Sequence, residues 1–489
     1  MGKVLLILRT LRYVKPIQIL NRLWRKLPCG SISAEALSVR DFAHLAAFPR
    51  VDDVWDGADL FTFLNETRRI RTAGDWNSSE FQKLWLYNLH YFDCLRQVTA
   101  CDWCKLIDRW IDENPIGVGN GWEPYPISLR VVNWIKFAHA DSVDYVQGEK
   151  FRASLATQVR WLEKRLEYHL LANHLLANAK ALVFAGKYFD GPESERWLKR
   201  GMDIYRRELP EQTCSDGVNF ERSAMYHSII LEDILDCYNI TRDDLFRRFA
   251  EKMLAGLKML TGPDGKIAKF NDSTEGIAKS PADLFVYAEN LNIHCQPQPL
   301  TSTFSSPSGF IRQEAGPWTL LAKCGDIGPS YQPGHAHADT FTFELWKSER
   351  KVISDTGCST YVPGPVRSYE RSTAAHNTVV IDGRNSSEVW AAHRVGRRFD
   401  FGRHRRRFEL TAEGLKGVDE VFGRGEHDIQ VRFHLPPGGV KDELRIECVG
   451  DLSWESCDIA EGWNRRRTGL CAVFSSRQKL PTVINWSVS

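Results

Sequence analysis

The apolar residues of this chain change their period once, near residue 300, and that change limits the folds open to it more than any other feature. From about residue 80 to 295 they recur at helical spacing, as in Trp85, Leu89, Phe92 and Leu95, in Leu129, Val132, Trp134 and Ile135, in Leu170, Leu171, Leu175 and Leu176, and in Ile229, Ile230, Ile234 and Leu235. Residues three and four apart share one face of a helix, so each set predicts a buried stripe. Pro115-Ile116-Gly117, Gly119-Asn120-Gly121 and Thr261-Gly262-Pro263-Asp264-Gly265 punctuate the pattern, which predicts helix pairs joined by short loops. After Gln296-Pro297-Gln298-Pro299 and the Ser/Thr-rich stretch 301–308, short runs take over: Trp318 to Ala322, Thr340 to Trp346, Lys351 to Ser354, Thr378 to Ile381, Val431 to Leu435 and Leu444 to Cys448. These read as strands. At 489 residues the chain exceeds one ordinary core. It divides into a helical extension over 1–75, a helical domain over 76–300 and a strand-rich domain over 301–489.

A formal charge of +2 gives no global field, so no nucleic-acid partner is expected. The apolar run from Val4 to Leu8 is interrupted by Arg9 and Arg12, which leaves it short of the about 7–15 residues of a secretory core. No segment nears the roughly 18 apolar residues of an integral membrane span. A cytoplasmic location is the expectation. The basic, apolar stretch from Val14 to Lys26 is expected to be a helix packed on its own domain; the alternative is an interfacial helix giving peripheral membrane association. The cysteines, those of the lone Cys101-Asp102-Trp103-Cys104 included, lack the paired spacing of a zinc knuckle and read as reduced, mostly core residues. The one dense basic cluster, Arg403-His404-Arg405-Arg406-Arg407, reads as a solvated hairpin face rather than a site for an anionic polymer. Oligomeric state is left open.

Ligand-type residues concentrate in Gly334-His335-Ala336-His337-Ala338-Asp339, in Asp355-Thr356-Gly357 and in Ser372-Thr373-Ala374-Ala375-His376-Asn377-Thr378. If the first segment is extended, His335 and His337 share a face roughly 7 Å apart, so one can bind a metal while the other faces a cleft. Asp355 and His376, at the ends of adjacent predicted strands, complete a His/Asp/His set of zinc-ligand type with a fourth position open. In the helical half, polar residues interrupt apolar stripes: Asn173, His174 and Asn178; then Glu221, Tyr226 and His227; then Trp122, Glu123 and Arg130. Burying such groups is costly unless they find partners or line a cavity. Arg130 offers a forked donor to a carboxylate or sulfate, and His90, Tyr91 and the Asn271-Asp272 loop add polar groups at helix ends. Helix pairs arranged around an axis would bring these ends to one rim suited to a sugar chain.

The Gly334–Asp339 block and Arg371-Ser372-Thr373-Ala374-Ala375-His376-Asn377-Thr378, with the helical blocks around Asn173 and Tyr226, resemble the motifs of the heparinase II/III family of polysaccharide lyases, which also contains alginate lyases. The likeness spans about residues 80 to 390. It implies a multidomain α+β fold, an N-terminal incomplete (α/α) toroid followed by a C-terminal antiparallel β-sandwich, and β-elimination at a uronic acid of an acidic polysaccharide. Carried over by position, Asn173, with His174, would neutralise the substrate carboxylate; Tyr226 would act as base or acid, His335 as its partner and Tyr361 as an assistant. His90, Trp122, Glu123, Arg130, Glu221 and Asp272 would line the substrate groove, and His337, Asp355 and His376 would hold a structural zinc. The path from Asp355 to Tyr361 and the Phe270-Asn271-Asp272-Ser273 loop depart from the family pattern. The Tyr226 phenol, with an ordinary pKa of about 10, is expected to be lowered by His335 or Arg130 nearby. Lack of an export signal resembles relatives linked to bacterial surface-polysaccharide assembly. Two other functions fit the residues: a catalytically weak glycan-binding or assembly protein, and a zinc hydrolase built on His337, Asp355 and His376.

Overall fold

The structure is a computed structural model and describes residues 7, 11–40, 45–97, 99, 102–140, 144–295, 306–390, 393–396, 403–439, 441 and 444–489. Helices dominate the described chain from Lys83 to Asn290, and a strand-rich half begins at Phe310. The hub of the helical half is the helix Ala172–Tyr188, which packs against Pro124–Ala140, Glu149–Lys164, Pro192–Gln212 and Ala224–Thr241. Small residues make that position possible. A Cβ added to Gly186 would stand 2.6 Å from the Leu198 Cβ, and one added to Gly201 2.8 Å from the Ala179 carbonyl oxygen, closer than a packed interior tolerates. Ser223, Asp243 and Ser280 start the later helices by accepting from the backbone N–H of Tyr226, Leu245 and Asp283, each satisfying a donor that the helix cannot.

Residues 1–75 were expected to be helical, and the structure corrects this. Their described part holds the helix Pro16–Trp24 and a hairpin of β1 (Leu60–Phe63) and β2 (Glu66–Arg69). Phe61 and Phe63 alternate with Thr62, a period of two that buries both rings in the helical core. Leu64 and Asn65 turn the chain with φ of 55° and 60°, which suits a two-residue hairpin.

The second half is antiparallel throughout its described sheets. Strands β3 (Phe310–Ala315), β4 (Trp318–Lys323), β5 (Phe343–Lys347) and β6 (Arg350–Ile353) form a meander. Then come β7 (Val379–Ile381), β8 (Glu388–Trp390), β9 (Arg394–Gly396), β10 (Arg403–Thr411), β11 (Gly414–Phe422), β12 (Glu426–Leu435), β13 (Ile446–Cys448), β14 (Asp451–Gly462), β15 (Arg465–Lys479) and β16 (Thr482–Val488). Two further sheets have the orders β10-β11-β16-β13 and β14-β15-β12-β7. Trp318, Phe343, Leu345, Phe433, Phe474 and Trp486 from all three sheets share one core, the sandwich arrangement. The six strands expected from sequence lie on β4, β5, β6, β7, β12 and β13.

The segment carrying His335 and His337 is a loop before β5, not a strand. The basic run forms the first part of strand β10: Arg406 points inward and binds both Asp419 oxygens at 2.7 and 2.8 Å, while Arg405 and Arg407 point outward and both pair with Glu420. Of these arginines only Arg406 is spent within the fold; Arg405 and Arg407 stay more than half exposed, the solvated face expected from sequence.

Candidate active site

The helix Ala172–Tyr188 begins abruptly. Leu171 has φ 62°, ψ −151° and Ala172 φ 48°, conformations that cost a side-chain-bearing residue about 1–3 kcal/mol each. They set Asn173 in the first turn, where unpaired N–H groups and the helix dipole favour an anion. The Asn173 amide oxygen is buried without a partner. Glu221 is buried beside it, with the Asn173 backbone N–H turned toward its carboxylate and one oxygen 3.5 Å from His335 Nε2. Burial pushes the Glu221 carboxyl up from the ordinary range. His174 Nδ1–H donates to Glu167 at 3.2 Å, and Asn178 donates to the other Glu167 oxygen at 3.1 Å. Burial opposes protonation of His174, but Glu167 outweighs it and holds the imidazole pKa up. The Tyr125 ring lies 4.5 Å from the His174 ring.

Tyr226 stands in the first turn of Ala224–Thr241, behind the Ser223 cap. Its ring stacks on His335 at 3.8 Å and 28°, and its hydroxyl is 2.9 Å from that of Tyr361. Tyr226 comes from the helical half; His335 and Tyr361 come from the sheet half. Tyr361 is framed by Trp463 at 4.5 Å, His393 at 4.9 Å and the Arg367 guanidinium at 4.9 Å. With Tyr226 8% and His335 9% exposed, the pair sits at the floor of the seam between the halves. The expected lowering of the Tyr226 pKa is not found: burial pushes it well above the ordinary phenol value, and Tyr125 adds to the rise.

Asp272 was expected to contact substrate. Instead it is fully buried and every oxygen is occupied. It accepts two bonds from Arg367, one from His335 Nδ1–H at 2.9 Å and one from His337 Nε2–H at 2.8 Å. Its neighbour Asn271, at φ 57°, accepts from Lys323 at 2.6 Å and from the His337 N–H at 3.0 Å. One two-residue loop of the helical half thus orients both histidines of the sheet half.

Four more residues expected in the groove are committed to other contacts. His90 is fully buried, accepting from Trp110 Nε1–H at 2.9 Å and donating to the Trp76 carbonyl at 3.0 Å; burial drops its pKa to about 3. Arg130 is fully buried too, donating to Gln158 and to the carbonyls of His90 and Gly121. Trp122 packs in the helical core and donates to the Asn114 carbonyl at 3.1 Å. Glu123 is partly exposed, paired with Lys83 at 2.9 Å and bonded by the Tyr87 hydroxyl.

The expected metal ligands form a chain rather than a cage. His376 Nδ1–H donates to Asp355 at 2.9 and 3.0 Å, and Thr342 Oγ1 and the Gly357 N–H fill the rest of that carboxylate. The His337 and His376 rings are 5.4 Å apart, and the second nitrogen of each, His337 Nδ1 and His376 Nε2, is buried without a partner. Each imidazole is therefore held by a carboxylate on one side with a lone pair free on the other, the arrangement that orients metal-ligating histidines. Asp355 orients His376. The three-residue group of metal-ligand type whose atoms do come within 4.8 Å among the described residues is Asp272, His335 and His393; there the Arg367 cation already neutralises the carboxylate.

Arg367, His393, Trp463 and Tyr125 were not singled out from sequence as site residues. They are isolated in the chain, and their roles arise from tertiary contacts alone.

Together these features define a helical toroid closed onto an antiparallel sandwich, with a phenol, an imidazole and an amide meeting on the seam. A family model described as heparinase II/III N-terminus matches residues 94–294, and one described as heparinase II/III-like, C-terminal matches 298–403. The chain belongs to the heparinase II/III family. It is 24% identical to a heparin-sulfate lyase of Bacteroides stercoris over 409 residues, 70% of this chain and 61% of that protein. It is 26% identical to one of Pedobacter heparinus over 324 residues, 58% of this chain and 48% of that protein. The chain thus spans less than two thirds of the length of these relatives. Among solved structures, a heparinase III matches with TM-score 0.62 at 17% identity, covering 96% of this chain and 88% of that one. The heparan sulfate lyase HepC of Pedobacter heparinus matches with TM-score 0.54 at 18% identity, covering 86% and 79%. These likenesses show the fold.

Proposed function

We propose that the protein is a polysaccharide lyase that cleaves a uronate-containing acidic glycan by β-elimination, in bacterial surface-polysaccharide metabolism. The observation that carries this reading is the meeting of Tyr226, Tyr361 and His335 across the seam, next to the helix start at Asn173. Elimination removes the proton at C5 of the uronate and breaks the glycosidic bond at C4, leaving a 4,5-unsaturated sugar. Negative charge builds on the carboxylate as the proton leaves, and the Asn173 amide, the first turn behind it and a protonated His174 stabilise it where it develops. Asp272 accepts from His335 Nδ1–H, which leaves Nε2 with the lone pair; this nitrogen takes the proton, and the adjacent Glu221 stabilises the resulting imidazolium. Tyr226, whose high pKa keeps it a neutral phenol, donates to the departing glycosidic oxygen, with Tyr361 completing the proton path. The curated relatives named above are heparin-sulfate lyases, so heparan-type chains head the substrate panel, followed by alginate and bacterial acidic polymers. Ultraviolet absorbance of unsaturated ends should rise with at least one of them. Binding without new absorbance on any uronate polymer would favour a glycan-binding protein.

Asn173→Ala should lower kcat by about 10²–10³, the range for removing one donor to a developing oxyanion. Thermal unfolding should be nearly unchanged, since the amide oxygen makes no bond in the fold. A loss confined to KM would assign Asn173 to uniform binding instead.

Zinc would be held by His337 Nδ1 and His376 Nε2, with Asp355 beside them. Leaving two buried lone pairs unsatisfied costs about 1–3 kcal/mol each, and borderline-soft zinc accepts imidazole nitrogen. His337, Asp355 and His376 are all fully buried, which supports a structural role over activation of a water for hydrolysis. Elemental analysis of the purified protein should find about one zinc per chain and far less in His376→Ala. Chelation should lower the melting temperature by about 5 °C or more, roughly what 2 kcal/mol is worth in a domain of this size. Wild-type protein with no bound metal would rule the site out.

A further inference from the structure

The helix Pro16–Trp24 lies on the helical half with its polarity reversed. At roughly 100° per residue, Ile19, Leu23, Leu20, Trp24 and Ile17 fall in one continuous arc, and Asn21, Arg25, Gln18 and Arg22 in the other. The polar arc is the docked one. Gln18, the buried residue of the helix, donates to the His169 carbonyl at 3.5 Å, and the His169 N–H donates to Asn21 at 3.1 Å. Arg25 donates to the Arg165 carbonyl at 2.7 Å, and Arg165 returns a bond to the Arg25 carbonyl at 2.7 Å. The apolar arc faces outward: Leu20 is 62%, Leu23 58% and Trp24 65% exposed, with Ile17, Ile19, Tyr13 and Leu27 exposed alongside.

A surface helix of a folded domain normally carries the opposite arrangement, and a contiguous apolar patch of this kind marks a contact surface. Charge says what the contact is with. Residues 1–34 contain seven Lys and Arg and no Asp or Glu, while the rest of the chain is net acidic; Lys15 is paired with Glu211 and Arg25 with the Arg165 carbonyl, which leaves Arg12 and Lys26 exposed at the two ends of the apolar arc. A second copy of the chain would bring two such basic segments together, whereas an anionic lipid surface complements one. Trp24 and Tyr13 add the amphipathic rings that settle at headgroup level. No helix of the described residues is long and apolar enough to cross a membrane, so the helix can lie on a bilayer but not span it.

We propose that this face docks the protein on an anionic phospholipid surface, with the helix flat in the headgroup layer. The loop that anchors the polar arc also carries Glu167, the partner of His174, so docking sets the rim of the groove beside the lipid. Docking through this face does not depend on chemistry in the groove.

The test is co-sedimentation of the full chain with vesicles of phosphatidylglycerol and phosphatidylethanolamine, and with vesicles of phosphatidylcholine alone. The comparison is a Leu20→Glu, Leu23→Glu, Trp24→Glu triple variant, altered only at outward side chains and expected to keep the wild-type melting temperature and groove activity. Wild type should bind the anionic vesicles at least about ten-fold more tightly than the neutral ones, and the triple variant should lose at least about ten-fold on the anionic vesicles. Three results would overturn the proposal: no sedimentation of the wild type, equal sedimentation of the two proteins, or a wild-type dimer in light scattering that the triple variant splits into monomers. The last would assign the face to a second copy.

Discussion

Tyr226→Phe should lower kcat on a cleaved polymer by about 10³-fold or more, while circular dichroism and melting temperature stay close to wild type. The side chain loses one oxygen. In the fold that oxygen touches the Tyr361 hydroxyl at 2.9 Å, one hydrogen bond between neutral groups whose net worth is about 1 kcal/mol. Stacking on His335 survives in phenylalanine. In the elimination proposed above the same oxygen would supply the proton that lets the glycosidic bond break, and general acid catalysis of that kind contributes about 10²–10⁴ in rate. The contrast between a small structural and a large kinetic effect makes the prediction sharp. Turnover within ten-fold of wild type would remove Tyr226 from the chemistry and shift the acid role to Tyr361.

Asp272→Ala should instead cost stability, by about 3–5 kcal/mol in denaturant unfolding, because breaking a buried ion pair leaves its partner charged and unsolvated. Here the abandoned partner is Arg367, itself fully buried, while at the same time His337 loses the carboxylate on its Nε2 and His335 the one on its Nδ1. Asp272→Asn keeps an acceptor for the histidines but not the charge, and should fall between the two. A destabilisation below about 1 kcal/mol for Asp272→Ala would show that Arg367 finds water on its own.

Much of this was legible in the chain. The change of period near residue 300 survives into the structure because long periodic sets leave little freedom: Leu175 and Leu176, or Phe343 and Leu345, have only one inward face to occupy. Asn173, Tyr226 and His335 stood out as polar residues inside apolar or clustered sequence, and the fold brings them to one seam. What failed to show was partnership. Arg130 and His90 look like solvent-facing donors in a sequence, yet both are spent on backbone carbonyls, and a carbonyl has no residue-type signature. Asp272 looks like any loop carboxylate until Arg367, 95 positions later, is folded against it. His393 and Trp463 reach the site from separate turns of the sheet half. Amphipathicity announced that the helix near residue 20 has two faces but not which one turns inward; that depended on backbone acceptors at Arg165 and His169.

The loop Asn271-Asp272 belongs to the helical half by sequence and is bonded to both: Asn271 donates to the Glu221 and Arg222 carbonyls, while the Asp272 carboxylate is held by Arg367, His335 and His337. A hinge between the halves would have to pull a charged carboxylate out of an arginine fork, so the floor of the groove cannot open and shut as a jaw does. On the lyase reading proposed above, a long glycan would have to be laid in from the outer lip and released the same way.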